Sequence, residues 1–216
     1  MKIRDLLALV EAQWPSAWAE PWDYPDLQLG DPEQELRGVA VALDWTADAL
    51  AALADEANLI LVHHPLFFNP LRGLRAAYPQ EALLRETVKQ DLTVWCSHTN
   101  LDSTPDATQV SRVLADTIGF TDGRIFQPSP AETNPDGGYG WVIESDRPLG
   151  DLYHGISQLP GFQGALLNYD RQTKASEPMG TTAFWGGSWD HDQLPRLLAC
   201  PPQSDIAAGY SCDPSC

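Results

Sequence analysis

Hydrophobic and polar positions alternate along the first half of the chain in a pattern typical of a β–α–β unit. Two short apolar runs, residues 39–43 and 59–62, predict buried strands, and residues 47–57 predict a helix with Thr46 as its N-cap. Parallel strands joined by a helix need a right-handed crossover, and ligand sites in such sheets lie at the carboxyl ends of the strands. We therefore expect functional residues directly after these strands.

Amphipathic spacing, cap residues and short apolar runs predict the other elements. Residues 22–32, dense in aromatic and acidic groups, are interpreted as a packed surface loop. The further predicted helices cover residues 1–13, 79–90, 104–118, 149–159 and 194–199, and the further strands cover 92–96, 141–144, 165–169, 181–185 and at most 205–210.

Composition changes at residues 121–138, which are rich in Pro, Gly, Asn and Asp. This change predicts a boundary between a metal-binding α/β lobe at 1–124 and a second α/β lobe at 125–216. The expected fold class is α/β with two lobes, built from mostly parallel or mixed sheets flanked by helices.

The charge of the chain excludes several classes of partner. Its 30 acidic and 13 basic residues give a formal net charge of -17. Such a surface repels phosphate backbones and anionic lipids, so we expect no binding to nucleic acid or to a membrane. The sequence has neither an apolar run long enough to span a bilayer nor the pattern of a signal peptide, which predicts a cytoplasmic protein.

The four cysteines do not predict a disulfide framework in a chain of 216 residues. Cys96 lies in an apolar strand pattern and is expected to be a small buried residue. Cys212 and Cys216 could form half of a zinc site, but no second pair of ligands accompanies them in the sequence. The alternative interpretation is an exposed tail.

Candidate metal ligands follow two of the predicted strands. His63 and His64 come directly after one strand, and His98 and Asp102 follow another. Neutral imidazole with carboxylate is a ligand set for Zn, Mn, Fe, Co or Ni, and is too rich in nitrogen for Ca. His98 supplies either a further ligand or a hydrogen bond that orients one. The alternative is that both segments are purely structural turns.

The two adjacent histidines present a geometric problem. Successive side chains of an extended strand point to opposite faces, so His63 and His64 cannot both reach one ion from a regular strand. Pro65 ends the strand at this point. Either a local bend brings the two rings together, or they diverge toward two neighbouring metals that Asp102 bridges.

Later candidates are weaker. Gly186-Gly187-Ser188 follows a predicted strand and could cradle an anion, but the aspartates beside it oppose a phosphate. His191, between Asp190 and Asp192, is the only later cluster of histidine and carboxylate. His154 is expected on a helix face as a surface or packing residue.

Several runs occur in a specific order: Trp22-Asp23, Leu27-Gln28-Leu29-Gly30-Asp31-Pro32, Ala42-Leu43-Asp44, His63-His64-Pro65-Leu66-Phe67-Phe68 and Ser97-His98-Thr99-Asn100-Leu101-Asp102. In this order they resemble the NIF-three-like dinuclear metal-binding family, many of whose members are called GTP cyclohydrolase 1 type 2 homologues. The resemblance covers about the first 120 residues well, and Gly138-Tyr139-Gly140-Trp141 and the Gly-Gly-Ser turn extend it weakly to about residue 190.

The resemblance implies that His63, His64 and Asp102 are metal ligands for one or two divalent cations per chain, held between two lobes. It also implies a ring-like homohexamer with metal-dependent hydrolase chemistry on a nucleotide or phosphorylated small molecule. The alternative is a non-enzymatic oligomeric regulatory or assembly protein whose metal site is structural or vestigial.

Two departures from the family pattern affect these expectations. Tyr24 and Asp26 stand where the family usually has Asn and a Gly before Leu, which alters the expected substrate contacts. The family's C-terminal Gly-His, followed by Glu, does not occur after Asp102. We therefore expect the second lobe to be incomplete at its C-terminal end, with His191 as the one candidate replacement.

Overall fold

Two compact units make up the chain. The computed structural model describes residues 1–53, 55–162, 175–187 and 209–210. The first unit contains residues 1–104 and 130–133, and the second contains 105–129 and the described part of 134–216. The first change of unit along the chain thus falls after residue 104 rather than at residue 124. The domain boundary at residue 124 stays a prediction.

The first unit is built on a mixed four-stranded sheet in the order β1-β4-β3-β2. Its strands are β1 (Asp26–Leu29), β2 (Val39–Ala42), β3 (Leu59–Val62) and β4 (Thr93–Cys96). Strands β2, β3 and β4 are parallel, and β1 runs antiparallel to β4. The predicted β–α–β unit is present, and its strands end at the same edge of the sheet.

Helices cover both faces of this sheet. They are α1 (Ile3–Gln13), α2 (Ala47–Ala52), α3 (Pro79–Lys89) and α4 (Thr99–Asp102), with a 3-10 helix at Ser16–Trp18. On one face Ile3 and Leu7 of α1 pack with Leu59 and Trp95. On the other face Leu84 of α3 belongs to the second hydrophobic core of the unit. Because side chains alternate along each strand, both faces of β3 and β4 are buried.

Three expectations for the first unit need correction. Residues 22–32 are not only a loop, because β1 forms there and pairs with β4. The helix expected over 47–57 ends at Ala52, since Leu53 turns to an extended conformation and packs against the core. Strand β2 is an edge strand rather than a buried one, and its Val41 is 79% exposed.

The close approach of β1 to β4 depends on Gly30. This residue has a φ of +101°, which favours glycine. A Cβ atom built at position 30 would lie 2.5 Å from the Cα of Thr93 and 2.6 Å from the carbonyl oxygen of Leu92. Both contacts are with backbone, so the two strands meet this closely only without a side chain there.

The second unit has its own sheet and core. Its elements are α5 (Val110–Thr117), β5 (Gly123–Pro128), β6 (Gly138–Pro148), α6 (Leu149–Ser157), β7 (Pro178–Gly186) and β8 (Gly209–Tyr210). The strand order is β5-β6-β7-β8, antiparallel except for the parallel β7–β8 pair. Phe184, Met179 and Ile143 lie at the centre of its core.

Sequence patterns predicted the second unit less well. The helix expected from residue 104 begins only at Val110, because the Asp106 carboxylate accepts hydrogen bonds from the backbone N–H and hydroxyl of Thr108. Gln109 then caps α5 by accepting from the N–H of Arg112 at 2.6 Å. Strand β5 was not predicted, and the elements expected at 165–169 and 194–199 lie outside the described residues.

Across the described residues, no helix combines the length and the apolar character that crossing a bilayer requires.

The burial of α3 leads to a stability prediction. Leu84→Ala should lower the free energy of unfolding by about 2–5 kcal/mol, because Leu84 is fully buried and its truncation leaves a cavity. Val88→Ala on the same helix should change it by less than about 0.5 kcal/mol, since Val88 is exposed. Urea unfolding followed by circular dichroism measures both values, and equal effects would contradict this packing.

Candidate metal centre

Three imidazoles meet at the carboxyl ends of β3 and β4. These strands are parallel neighbours with Val62 opposite Cys96, so the residues that follow them leave the sheet at the same edge. The ring centroids of His63 and His64 lie 5.0 Å apart, and the ring of His98 lies 5.3 Å from the first and 6.0 Å from the second. We call these three residues the imidazole cluster. The rings of the adjacent histidines are therefore neighbours, and the choice between one shared ion and two neighbouring metals stays a prediction.

Each ring of the imidazole cluster places its Nδ1 against an oxygen acceptor. The contacts are His63 Nδ1 with the Ser97 carbonyl at 3.0 Å, His64 Nδ1 with Asp44 Oδ1 at 2.7 Å, and His98 Nδ1 with Asp23 Oδ2 at 3.0 Å. Carbonyl and carboxylate oxygens only accept, so Nδ1 carries the proton in each bond. In the neutral ring Nε2 then holds the lone pair, the arrangement that metal-ligating histidines commonly have.

His63 is held in its neutral form. Burial lowers its pKa to about 4, and the neighbouring His98 and His64 act in the same direction. The bond to the Ser97 carbonyl opposes this shift without reversing it. At neutral pH the Nε2 of His63 is therefore an electron-pair donor.

Asp102 brings a carboxylate to the imidazole cluster. It is the last residue of the single-turn helix α4, and its Oδ1 lies 3.6 Å from Nε2 of His63. Burial raises the pKa of Asp102 to about 7, although His98 acts against the shift. The negative charge of this carboxylate is thus costly unless a positive charge lies beside it.

Asp23 fixes the position of His98. Its buried carboxylate accepts from Nδ1 of His98, from the Thr99 N–H at 3.1 Å and from the Thr99 hydroxyl at 2.5 Å. Burial by itself would raise the pKa of Asp23, but these hydrogen bonds bring it below its usual value. Asp23 therefore stays ionised and keeps the proton of His98 on Nδ1.

The residues that orient the imidazoles were missed by the sequence analysis. The sequence pattern places Asp23 in a surface loop and marks Asp44 only as the end of a strand. Both residues belong to the runs that carry the family resemblance. Their place in those runs is the signal in the sequence that indicates a functional role. The prediction that His98 contributes an orienting or ligating group is consistent with its place in the imidazole cluster.

The donor groups suit a divalent cation in chemical type. Imidazole Nε2 lone pairs and one partly buried carboxylate match the ligand preferences of Zn, Mn, Fe, Co and Ni. In the part of the chain that the structure describes, no three His, Cys, Asp or Glu side chains converge as a complete metal site. His63, His64 and Asp102 thus stay predicted ligands, and the structure brings them to one edge of one sheet.

The other candidates of the sequence analysis contribute nothing to this centre. Cys96 is buried, and its thiol donates to the carbonyl of His63. His154 is exposed on α6 in the second unit. The remaining candidates, Ser188, Asp190, His191, Asp192, Cys200, Cys212 and Cys216, lie outside the described residues.

Comparison with known proteins agrees with the resemblance found in the sequence. A family model described as Duf34/NIF3 (NGG1p interacting factor 3) matches residues 1–191. A Mycobacterium tuberculosis protein named GTP cyclohydrolase 1 type 2 homolog is 30% identical over 197 residues, covering 84% of this chain and 50% of the relative. A Staphylococcus aureus protein of the same name is 36% identical over 121 residues, covering 56% and 32%. The chain thus spans half the length, or less, of these relatives.

Solved structures agree with the α/β fold class. A hypothetical protein of Staphylococcus aureus aligns with a TM-score of 0.77 at 24% identity, covering 92% of this chain and 76% of the other. A Bacillus cereus protein related to NIF3 gives 0.75 at 17% identity, covering 92% and 79%. Reduced HcgD from Methanocaldococcus jannaschii gives 0.70 at 18% identity, covering 91% and 74%.

The raised pKa of Asp102 leads to a pH prediction for the metal-free protein. An acid whose pKa is about 7 in the folded state and near 4 when unfolded destabilises the fold progressively as pH rises from 4 to 7. Asp102→Asn removes this penalty. Its free energy of unfolding should exceed that of the parent by up to about 4 kcal/mol above pH 7, and by less at pH 5.

Urea unfolding in EDTA between pH 5 and pH 8 measures this difference. A variant that is less stable than its parent at every pH would show that the carboxylate is not strained by burial.

Proposed function

Because the chain belongs to the Duf34/NIF3 family, we propose that His63, His64 and Asp102 bind a divalent cation for hydrolysis of a nucleotide or phosphorylated small molecule. One observation carries this proposal. Every ring of the imidazole cluster has its Nδ1 proton held by an oxygen acceptor, which directs the lone pair to Nε2. A purely structural turn has no need to fix the same tautomer three times.

The residues of the centre have distinct roles in this proposal. His63 and His64 present Nε2 donors, oriented by the Ser97 carbonyl and by Asp44. Asp102 offers a carboxylate next to His63. When bound, one or two divalent cations such as Zn, Mn, Fe, Co or Ni supply Lewis acidity and activate water at neutral pH. The shallow burial of His64 leaves the centre open to a small molecule.

The charge of the protein supports the need for a cation. A net charge of -17 repels a phosphate-bearing substrate, and the neutral ring of His63 does not offset that repulsion. Local positive charge is therefore required before a phosphorylated small molecule can bind at this edge. The hexameric ring, the cytoplasmic location and the lack of nucleic-acid and membrane partners stay predictions.

Metal uptake and turnover test the proposal together. His64→Ala and Asp102→Ala should each lower the affinity for Zn or Mn by at least about 10-fold and abolish hydrolysis, because each removes a ligand. His154→Ala, an exposed histidine of the second unit, should change neither. Calorimetry with both metals measures uptake, and a screen of phosphoesters and GTP with added Mn or Zn measures turnover.

The outcomes separate the two classes of function. Turnover that survives His64→Ala or Asp102→Ala at full rate would refute the assignment of the centre. Uptake that depends on these residues, with no turnover of any substrate and a lower melting temperature in the variants, would favour the regulatory or assembly alternative. This alternative is supported by one observation: no complete set of three ligands converges among the described residues.

The orienting role of Asp44 can be tested separately. Asp44→Asn should weaken metal binding by about 10-fold, because the amide no longer fixes the His64 tautomer as firmly as a carboxylate does. Asp48→Asn, an exposed carboxylate of α2, is the matched control and should leave the affinity unchanged. Equal affinities for all three proteins in calorimetry would contradict the role of Asp44.

A further inference from the structure

Two large aromatic side chains stand exposed beside the candidate centre. Trp22 is 54% exposed and Phe68 is 62% exposed. Their ring centroids lie 6.0 Å apart with the planes inclined at 32°. We call these residues the aromatic pair. Single exposed apolar residues are common on protein surfaces. Two exposed aromatic rings in contact form a local apolar surface, which is a feature typical of binding sites.

The aromatic pair adjoins the imidazole cluster through His98. The ring of His98 lies 6.1 Å from Trp22 at 76° and 5.7 Å from Phe68 at 79°. The three centroids thus form a nearly equilateral triangle. Since His98 also touches the rings of His63 and His64, only the width of one imidazole separates the aromatic pair from the proposed ligands.

Neighbouring residues anchor the backbone near both aromatic side chains. Trp22 directly precedes Asp23, whose carboxylate is bound to His98 and Thr99. Phe68 lies two residues after Leu66, a buried residue whose carbonyl accepts a hydrogen bond from Gln80 at 3.0 Å. Anchors on both segments fix the backbone beside each ring. A ligand that stacks on these rings therefore has less backbone to fix on binding, which lowers the entropic cost.

We propose that the aromatic pair binds the planar heteroaromatic ring of a ligand whose reacting end lies at the imidazole cluster. The ring stacks on the exposed aromatic faces and needs no charge complementarity, so the negative surface of the protein does not oppose it. The position of the reacting end rests on the proposed function. The binding site for the ring is argued independently of it. Trp22 and Phe68 then select heteroaromatic substrates over plain sugar phosphates.

Binding measurements without metal test the ring site directly. Calorimetry of the full chain in EDTA should detect adenosine and guanosine but not ribose 5-phosphate. Trp22→Ala and Phe68→Ala should each weaken nucleoside binding by about 10- to 100-fold, the usual range for losing one stacking partner. Trp22→Phe should retain most of the affinity. In proton NMR, the base protons of the bound nucleoside should shift upfield, which a merely structural role does not cause.

Tyr78→Ala provides the matched control. Tyr78 is 52% exposed and directly precedes α3, so its removal tests whether any exposed aromatic residue of this unit matters. Nucleoside affinity should stay unchanged. Loss of affinity equal to that of Trp22→Ala would overturn the assignment to the aromatic pair, as would nucleoside affinities that neither Trp22→Ala nor Phe68→Ala changes.

The remaining outcomes separate this inference from the metal proposal. Nucleoside binding that depends on Trp22 and Phe68 in a protein that takes up no Zn or Mn supports the ring site while the metal proposal fails. Turnover of ribose 5-phosphate as fast as that of nucleotides supports the metal proposal and overturns the selectivity argued here. A change of oligomeric mass in Trp22→Ala or Phe68→Ala, measured by light scattering and without loss of nucleoside affinity, overturns it by showing a protein interface.

Discussion

The buried carboxylate of Asp23 accepts three hydrogen bonds from the consecutive residues His98 and Thr99. These bonds join the segment before β1 to the segment that follows β4, two stretches far apart in the sequence. Asp23 sets the tautomer of His98, and its backbone carries Trp22 to the side of that ring. Hydrogen bonds to a buried charge are among the stronger polar contacts in proteins. The aromatic pair and the imidazole cluster therefore depend on one ionised side chain.

The parallel strands β3 and β4 supply the second requirement of the centre. Their registry brings residues 63, 64 and 98 to one edge, and burial on both faces keeps the strands themselves rigid. The Nδ1 acceptors come from three different places, the Ser97 carbonyl, Asp44 after β2 and Asp23 before β1. The strand ends bring the histidines together, and acceptors from other segments then fix the orientation of each ring. Proteins commonly place functional side chains precisely in this way.

Sequence patterns predicted the parts of this structure that local order determines. Apolar runs ended close to the true ends of β3 and β4, Thr46 does cap α2 by accepting from the N–H of Ala49, and the histidines follow the strands as expected. Strands β1 and β5 were missed because their residues carry weak apolar patterns, and only pairing with β4 and β6 makes them strands. The roles of Asp23 and Asp44 depend in the same way on distant partners. Contacts between residues far apart in the chain produce no periodic pattern in a single sequence, so they cannot be predicted from it.

The crowding around Gly30 has a practical consequence for engineering. A library that randomises the segment 22–32 to alter ligand choice can vary Trp22 and Tyr24, whose side chains face solvent. Position 30 must be kept fixed in such a library, because any side chain there collides with the backbone of β4 at Thr93. The collision would displace the strand that leads to His98, so its effects would be mistaken for altered recognition. Gly30 is thus a scaffold position inside what looks like a diversifiable loop.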